Sequence, residues 1–182
     1  MTPRCQLTAL LIIALVFPLT GTVSAESLPD QVPRFCQVRT TDHRVAVAME
    51  QGLRISATFR ELVDHINASD VVVYVSADAQ ALPPGIDGHL TFLSATGGFR
   101  YVVVHVNTMV SLPRLVSLLG HELQHAREVA ETDGIVDSAS MAREYAGGLG
   151  YQNRWLSREH SFDSRAAIRA GEQVLSDVLK AE

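Results

Sequence analysis

The stretch LLGHELQHA, residues 118–126, places two histidines four positions apart, with a glutamate directly after the first. Successive residues of an α-helix advance by about 100° around its axis, so residues four apart lie one turn apart on one side. If this stretch is helical, His121 and His125 leave the helix from the same side and Glu122 lies beside them. The chemistry that such a grouping permits therefore depends first on whether a helix forms here.

The sequence around this stretch has the spacing of an amphipathic helix. Apolar side chains recur at intervals of three and four residues, on a narrow stripe nearly opposite the two histidines: Leu112, Val116, Leu119, Leu123, Ala126 and Ala130. Two imidazoles one turn apart can hold one Zn²⁺ at about 2.0–2.1 Å each, which leaves room for a third protein ligand and a water. A carboxylate beside that water can take its proton, because the metal lowers the pKa of the water toward about 7.

The segments before this helix alternate between helical and extended patterns. Asp42 is placed to cap a first helix whose apolar face includes Val45, Met49 and Leu53. Thr58 and Glu61 have the spacing of a capping box, which predicts that a second helix begins there.

Three β-strands are predicted between these helices and the HELQH helix. The β-branched run Val71–Val75 is typical of a buried strand, and the segments HLTFLSA and RYVVVHVN form a hairpin across residues 96–98. A later helix is expected over Ser138–Ala146, followed by a last helix after a glycine-rich connection. The expected fold is therefore α+β: a small mixed sheet of about three strands, with an antiparallel edge hairpin, packed on the HELQH helix.

The N-terminus has the pattern of a cleavable secretory signal peptide over residues 1–25. Arg4 supplies the positive charge, Leu7–Leu19 the apolar segment and residues 23–25 a small-residue cleavage site. The apolar segment is shorter than the roughly 20 residues that cross a bilayer, so no stable membrane anchor is expected after cleavage. The protein is predicted to be secreted or periplasmic.

The length, the cysteine content and the charge of the chain indicate its domain organisation and the class of partner it lacks. Residues 26–41 are predicted to be an N-terminal arm or linker, and residues 42–182 a single domain. Cys5 would leave with the signal peptide, so Cys36 would be a lone thiol and no internal disulfide is expected. The formal net charge is −5 and Lys180 is the only lysine, so no nucleic-acid partner is expected.

The segment LLGHELQHA, placed after a mixed sheet, resembles the active-site helix of the zincin metallopeptidases. The resemblance implies that His121 and His125 are zinc ligands and that Glu122 is the catalytic base. In zincins an antiparallel edge strand above the zinc cleft pairs with extended substrate, and His89–Ser94 stands in the corresponding place. Peptide or protein substrates are therefore implied.

The third zinc ligand is assigned by the same resemblance. The metzincin pattern would have glycine at position 128 and histidine at 131, where this chain has Glu128 and Glu131. The chain instead resembles gluzincins and small secreted bacterial proteins whose last helix opens with F-E-T-[DE]-A-A. FDSRAA, residues 162–167, stands in that place, which implies Asp163 as the ligand although aspartate is one methylene shorter than glutamate.

Several alternatives remain at the sequence level. Other residues that could provide the third ligand are Asp137, Glu144, Glu159 and His160, and Asp163 could instead stabilise the start of the last helix. Residues that could stabilise an oxyanion are Tyr145, Tyr151 and His160, although packing or surface roles are the simpler expectation. The sequence thus predicts a zinc metallopeptidase, or alternatively a zinc-containing domain that binds peptide or protein without turnover.

Overall fold

The computed structural model of the protein describes residues 37–152 and 162–181. All of them belong to one structural unit, Phe35–Glu182. The predicted signal peptide, residues 26–36 of the predicted arm with Cys36, and the candidate ligands Glu159 and His160 lie outside the described residues. Within the described ranges, none of the helices has the length and apolar character needed to span a bilayer.

The chain forms an α+β fold, as the sequence predicts. The strands are β1 (Val38–Thr40), β2 (Val71–Ser76), β3 (Gly88–Thr96), β4 (Phe99–Val106), β5 (Tyr151–Gln152) and β6 (Phe162–Asp163). The helices are α1 (His43–Ile55), α2 (Ala57–Asn67), α3 (Leu112–Glu131), α4 (Ser138–Glu144) and α5 (Arg165–Ala181), with a short 3-10 helix at Ala79–Ala81 and a π-helical turn at Tyr145–Leu149.

Four strands form the main sheet in the order β1-β2-β4-β3. The strands β1, β2 and β4 are parallel, and β3 pairs with β4 in the antiparallel direction. Gly97 and Gly98 join β3 to β4 with φ values of 60° and 80°, a backbone region that favours glycine. The predicted antiparallel edge hairpin is therefore present, with β3 at the end of the sheet.

The sheet has one strand more than the sequence analysis anticipated. Val38–Thr40 lies within the segment predicted to be a linker, yet it pairs with β2, where Val38 stands opposite Val73. Val38 is buried, and the side-chain amide of Gln37 donates hydrogen bonds to the carbonyls of Ser69 and Val71. A strand of three residues with one apolar side chain gives no detectable alternation, so burial against β2 is what defines it.

The first two helices follow each other with a single residue between them. Asp42 caps α1 as predicted, because its Oδ1 accepts a hydrogen bond of 2.9 Å from the Val45 amide. The cap of α2 is Ser56, not Thr58: Ser56 Oγ accepts from the Phe59 amide and donates to Asp177 Oδ2 at 2.6 Å. Since α1 ends at Ile55, Ser56 is the only residue available to begin α2, and Thr58 falls within its first turn.

Helix α3 is the central helix of the fold. It contacts the strands β2, β3 and β4 as well as α1, α2 and α5. Leu115, Val116, Leu119 and Leu123 are fully or almost fully buried on it. Helix α5 approaches α3 closely at Gly120, where an added Cβ would lie 2.8 Å from Val174 Cγ2. The packing of α3 on several sides fixes the direction in which its remaining side chains point.

The C-terminal end of α3 is held by a buried arginine from β4. The Arg100 guanidinium donates to the carbonyls of Val129, Ala130, Thr132 and Ile135 at 2.7–3.3 Å. It also makes a bidentate pair with Asp70, at 2.7 and 2.6 Å. A helix end leaves carbonyls without intrahelical partners, and here one side chain satisfies several of them.

Candidate metal centre

A cavity of about 480 Å³ lies between the start of β3, helix α3 and the first half of α5. It is lined by residues of four regions: the loop and strand 85–90, the α3 residues Arg114, Ser117, Leu118, His121, Glu122 and His125, the pair Met141 and Tyr145, and residues Phe162, Asp163, Ile168, Gly171, Glu172 and Leu175. His121, Glu122 and His125 therefore all line one cavity.

The helical phase predicted from the sequence is confirmed for the HELQH residues. They lie in the middle of α3, and the ring centroids of His121 and His125 are 4.9 Å apart. The His121 side chain is 24% exposed and that of His125 is 9% exposed. Neither imidazole is freely solvated, which distinguishes them from ordinary surface histidines.

Asp163 reaches the same point from the strand β6, directly before α5. Its Oδ1 lies 3.5 Å from His121 Nε2 and 3.6 Å from His125 Nε2. One ligand atom from each of these three residues lies within 4.8 Å of the other two. Two ligand atoms of a tetrahedral zinc are separated by about 3.3–3.6 Å when the bonds are 2.0–2.2 Å long. The donor types and the distances to Asp163 therefore fit a zinc ion.

The side chain that caps α5 is that of Ser164 and not that of Asp163. Ser164 caps α5, since its Oγ accepts a hydrogen bond of 2.9 Å from the Ala167 amide. Asp163 Oδ1 accepts a 2.7 Å hydrogen bond from the Ser164 amide, which orients the carboxylate towards the histidines.

The other described candidates for the third ligand lie elsewhere. Asp137 caps α4 by accepting a hydrogen bond of 2.6 Å from the Ser140 amide. The Glu144 carboxylate lies against Gly134, 3.0 Å from the position of an added Cβ. Neither belongs to the group formed by the two histidines and Asp163. Glu159 and His160 stay untested because they lie outside the described residues.

Glu122 is held in a narrow space between α3 and the beginning of β3. It is 3% exposed, and its Oε1 lies 2.6 Å from the position that a Cβ on Gly88 would occupy. Burial raises the pKa of the Glu122 carboxyl to about 7, against the opposing effect of the nearby His125 charge. The carboxyl is thus able to exchange a proton near neutral pH, which is the range useful to a general base.

The pKa values of the two histidines are shifted in opposite directions. Burial, followed by the charge of His125, lowers the pKa of His121 to about 4. Burial also disfavours the charged form of His125, but hydrogen bonds to Asp163 and Glu128 outweigh it and raise its pKa to about 10. The carboxylates around His125 thus attract positive charge to its ring, and a bound cation would compete with the proton for that place.

Glu128 is a buried residue of this centre whose role the sequence analysis did not identify. One of its oxygens, Oε2, accepts from His125 Nδ1 at 2.9 Å and from the Tyr145 hydroxyl at 2.7 Å. The other, Oε1, accepts from the Ser164 hydroxyl. Its position three residues after His125, on the same helix side, was the available signal. At the sequence level, Glu128 served only to distinguish the chain from the metzincin pattern.

Tyr145 and Tyr151 occupy different sides of the centre. The Tyr145 hydroxyl lies 3.0 Å from His125 Nδ1, whereas Nε2 of the same ring faces Asp163. Tyr145 is 4% exposed, so its hydroxyl is packed behind the histidine, as the simpler expectation had it. Tyr151 is 42% exposed and its hydroxyl forms a hydrogen bond with Asp163. The third oxyanion candidate, His160, lies outside the described residues.

Negative charge predominates around the two histidines. Glu122, Glu128 and Asp163 all contribute to the electrostatic environment of His125 or share hydrogen bonds with it. Among the described residues that line the cavity, Arg114 is the one arginine or lysine, and its side chain is 51% exposed. A divalent cation would offset this excess of negative charge.

Comparisons with known proteins provide no independent assignment of this centre. Its interpretation therefore depends on the geometry and charge of the residues described above. No protein-family model, no curated protein and no solved structure matches the chain.

Proposed function

We propose that the protein is an exported zinc metallopeptidase that hydrolyses peptide bonds. The observation that supports this proposal is the convergence of His121 Nε2, His125 Nε2 and Asp163 Oδ1 on one point, with Glu122 beside them in a cavity. Two imidazoles and one carboxylate form the ligand set of many catalytic zinc sites, which leave a further position for water. Export is proposed from the N-terminal sequence pattern alone.

Each residue has a distinct role in this proposal. His121, His125 and Asp163 would hold the metal. When bound, the metal would lower the pKa of a water so that it can lose a proton and attack a carbonyl carbon near neutral pH. Glu122 would take up the proton that the attacking water loses and would return it to the leaving amine. Two observations support this role. The raised pKa of Glu122 lets it exchange a proton near neutral pH, and the restricted space beside Gly88 fixes the position of its carboxylate.

The position of β3 supports a peptide as the substrate. This strand is the end strand of the sheet, and its first residues, 88–90, line the cavity. An extended peptide can add to such an edge through main-chain hydrogen bonds, a binding mode that depends little on side-chain identity. The cavity beside it accommodates a substrate side chain, and its volume of about 480 Å³ is within the range of ligand sites.

The alternative is a zinc-containing domain that binds peptide or protein without turnover. Aspartate at position 163, where the resembling proteins have glutamate, is the feature that favours this alternative. The distances of 3.5 and 3.6 Å from Asp163 to the two histidines support the enzyme instead, because the shorter acid reaches the ligand position. The cavity beyond the histidines, which side chains do not fill, supports it as well.

The direct test is the metal content of the mature protein. We expect about one equivalent of zinc per chain in protein purified without chelators, because a single group of three ligands is available among the described residues. Removal of the metal is expected to abolish hydrolysis of an unfolded protein substrate, and zinc should restore it. Folded protein that binds no stoichiometric transition metal would refute the proposal, whereas bound zinc without hydrolysis would favour the binding domain.

Replacing Gly88 by alanine is expected to reduce hydrolysis and to leave zinc bound. An added Cβ would lie 2.6 Å from Glu122 Oε1, so the carboxylate must move away from its position beside the metal ligands. The matched control is Gly147→Ala, because an added Cβ at that glycine meets no atom within 4 Å. Rates and zinc content of both variants should be measured together; full activity in Gly88→Ala would show that Glu122 does not need this position.

A further inference from the structure

We infer that Glu128 is a positioning residue that holds two of the proposed zinc ligands, His125 and Asp163, in place from behind the metal centre. The inference rests on the proposed zinc site and adds to it a residue that would not touch the metal or substrate. Its basis is the position of one buried carboxylate among hydrogen-bond donors from three different parts of the chain.

The first contact acts on His125. Its Nδ1 lies 2.9 Å from Glu128 Oε2, so a proton on Nδ1 is donated to the carboxylate. A neutral imidazole with its proton on Nδ1 has its lone pair on Nε2, which is the atom that faces Asp163. Glu128 therefore selects the tautomer in which His125 can bind a metal through Nε2, and it also fixes the orientation of the ring.

The second contact acts on the segment that carries Asp163. The Ser164 hydroxyl donates to Glu128 Oε1, and the Ser164 amide donates to Asp163 Oδ1 at 2.7 Å. Ser164 also caps α5 through its contact with the Ala167 amide. Glu128 thus ties the start of α5 to α3, at the residue next to Asp163. The positions of His125 and Asp163 depend on the same carboxylate.

The third contact comes from the Tyr145 hydroxyl, which donates to Glu128 Oε2 at 2.7 Å. It is the second donor to Oε2, so the carboxylate accepts hydrogen bonds from three side chains although Glu128 is only 5% exposed. A buried carboxylate with several donors is held in one geometry, and its removal leaves those donors unsatisfied. The arrangement predicts that replacing Glu128 changes the metal centre and not just the packing around it.

The test compares Glu128→Gln and Glu128→Ala with Glu131→Gln. Glu131 lies one turn further along α3, is paired with Arg127 at 2.8 Å and supplies no atom to the metal centre, so its variant controls for the loss of one negative charge. Loss of a residue that orients a metal ligand typically weakens metal binding by about 10–100-fold. We expect that loss for both Glu128 variants, measured by competition with a zinc-binding dye, and no loss for Glu131→Gln.

A second readout does not depend on metal. In metal-free protein, at a pH high enough for the His125 ring to be neutral, ¹⁵N NMR of the imidazoles should show His125 with its proton on Nδ1 in the wild type and in Glu131→Gln, and a mixture of tautomers in Glu128→Ala. Because Glu128→Gln nearly preserves volume, it keeps the inference testable if the alanine variant does not fold. Zinc affinity and a His125 tautomer equal to those of Glu131→Gln would overturn the inference.

A double-mutant cycle tests the connection to Asp163. Ser164→Ala should weaken zinc binding in the wild type, and much less in Glu128→Ala, because Ser164 acts on the centre through Glu128. The loss of the α5 cap occurs in both backgrounds and cancels in the comparison. Equal effects of Ser164→Ala on zinc binding in both backgrounds would show that Glu128 does not influence Asp163 through Ser164. If the wild type binds no zinc, the proposed function is wrong. If the wild type binds zinc and the Glu128 variants bind it equally well, only the inference about Glu128 is wrong.

Discussion

Glu122→Gln is expected to lower hydrolysis by about 10²–10⁴-fold, the usual contribution of a general base, and to keep zinc bound. Glutamine has nearly the same volume, so it fits between Gly88 and α3, but it cannot accept the proton of a water. The residue belongs to the cavity lining and not to the group of three ligand atoms. Rates on an unfolded protein substrate and zinc content in the same preparation measure both parts of the prediction.

The matched variants are His121→Ala and His125→Ala, which should lose zinc and hydrolysis together. His121 and His125 are ligands in the proposed site, so removing either leaves too few donors to hold the metal tightly. If Glu122→Gln loses as much zinc as the histidine variants, Glu122 is bound to the metal and its role as base is wrong. If Glu122→Gln hydrolyses at the wild-type rate, another group takes the proton.

Asp163→Ala is expected to weaken zinc binding by more than the 10–100-fold that is typical when a residue behind a metal ligand is lost. The variant removes the only described carboxylate oxygen that faces Nε2 of both histidines, at 3.5 and 3.6 Å. Asp163→Glu should retain binding, since it keeps a carboxylate at the proposed ligand position. Zinc affinity of the two variants is the deciding measurement.

The control for this experiment is Asp137→Ala. Asp137 is an N-cap of α4, away from the histidines, so its loss should lower the thermal stability and leave zinc affinity unchanged. The comparison separates a loss of stability from a loss of a ligand, because thermal unfolding of metal-free protein reports the first and dye competition the second. Unchanged zinc affinity in Asp163→Ala would transfer the ligand role to Glu159 or His160.

Local patterns in the sequence were sufficient to predict most elements of the fold. The cap at Asp42, the run Val71–Val75 and the Gly97-Gly98 turn each determine structure within a few residues, and the helix around HELQH has a clear period. Strand β1 could not be predicted, because its three residues are defined by pairing with β2. The cap of α2 was misplaced because Thr58 and Glu61 have the right spacing, yet the start of the helix depends on where α1 ends.

The candidate site also contains residues that local spacing predicts and residues that only tertiary packing brings together. His121, Glu122 and His125 lie on one helix, so their spacing alone determines that they face one side. Asp163 is 38 residues after His125 in the chain, and its approach to the histidines depends on the packing of α5 against α3. Glu128 is close to His125 in sequence, but its partners Tyr145 and Ser164 come from distant segments. The positioning role inferred for Glu128 depends on these long-range contacts, which no local pattern encodes.

The contact between Arg100 and the end of α3 also determines the axial register of the helix. A shift of α3 by one residue would rotate its side chains by about 100°, which would turn both histidines away from Asp163. Such a shift would break the hydrogen bonds from Arg100 to Val129, Ala130, Thr132 and Ile135. Lysine could not replace this arginine, because an ammonium group lacks the planar fork that also binds Asp70 bidentately. Arg100, which lies on a strand and contacts α3 only at its end, thus keeps the two histidines facing Asp163 and the cavity.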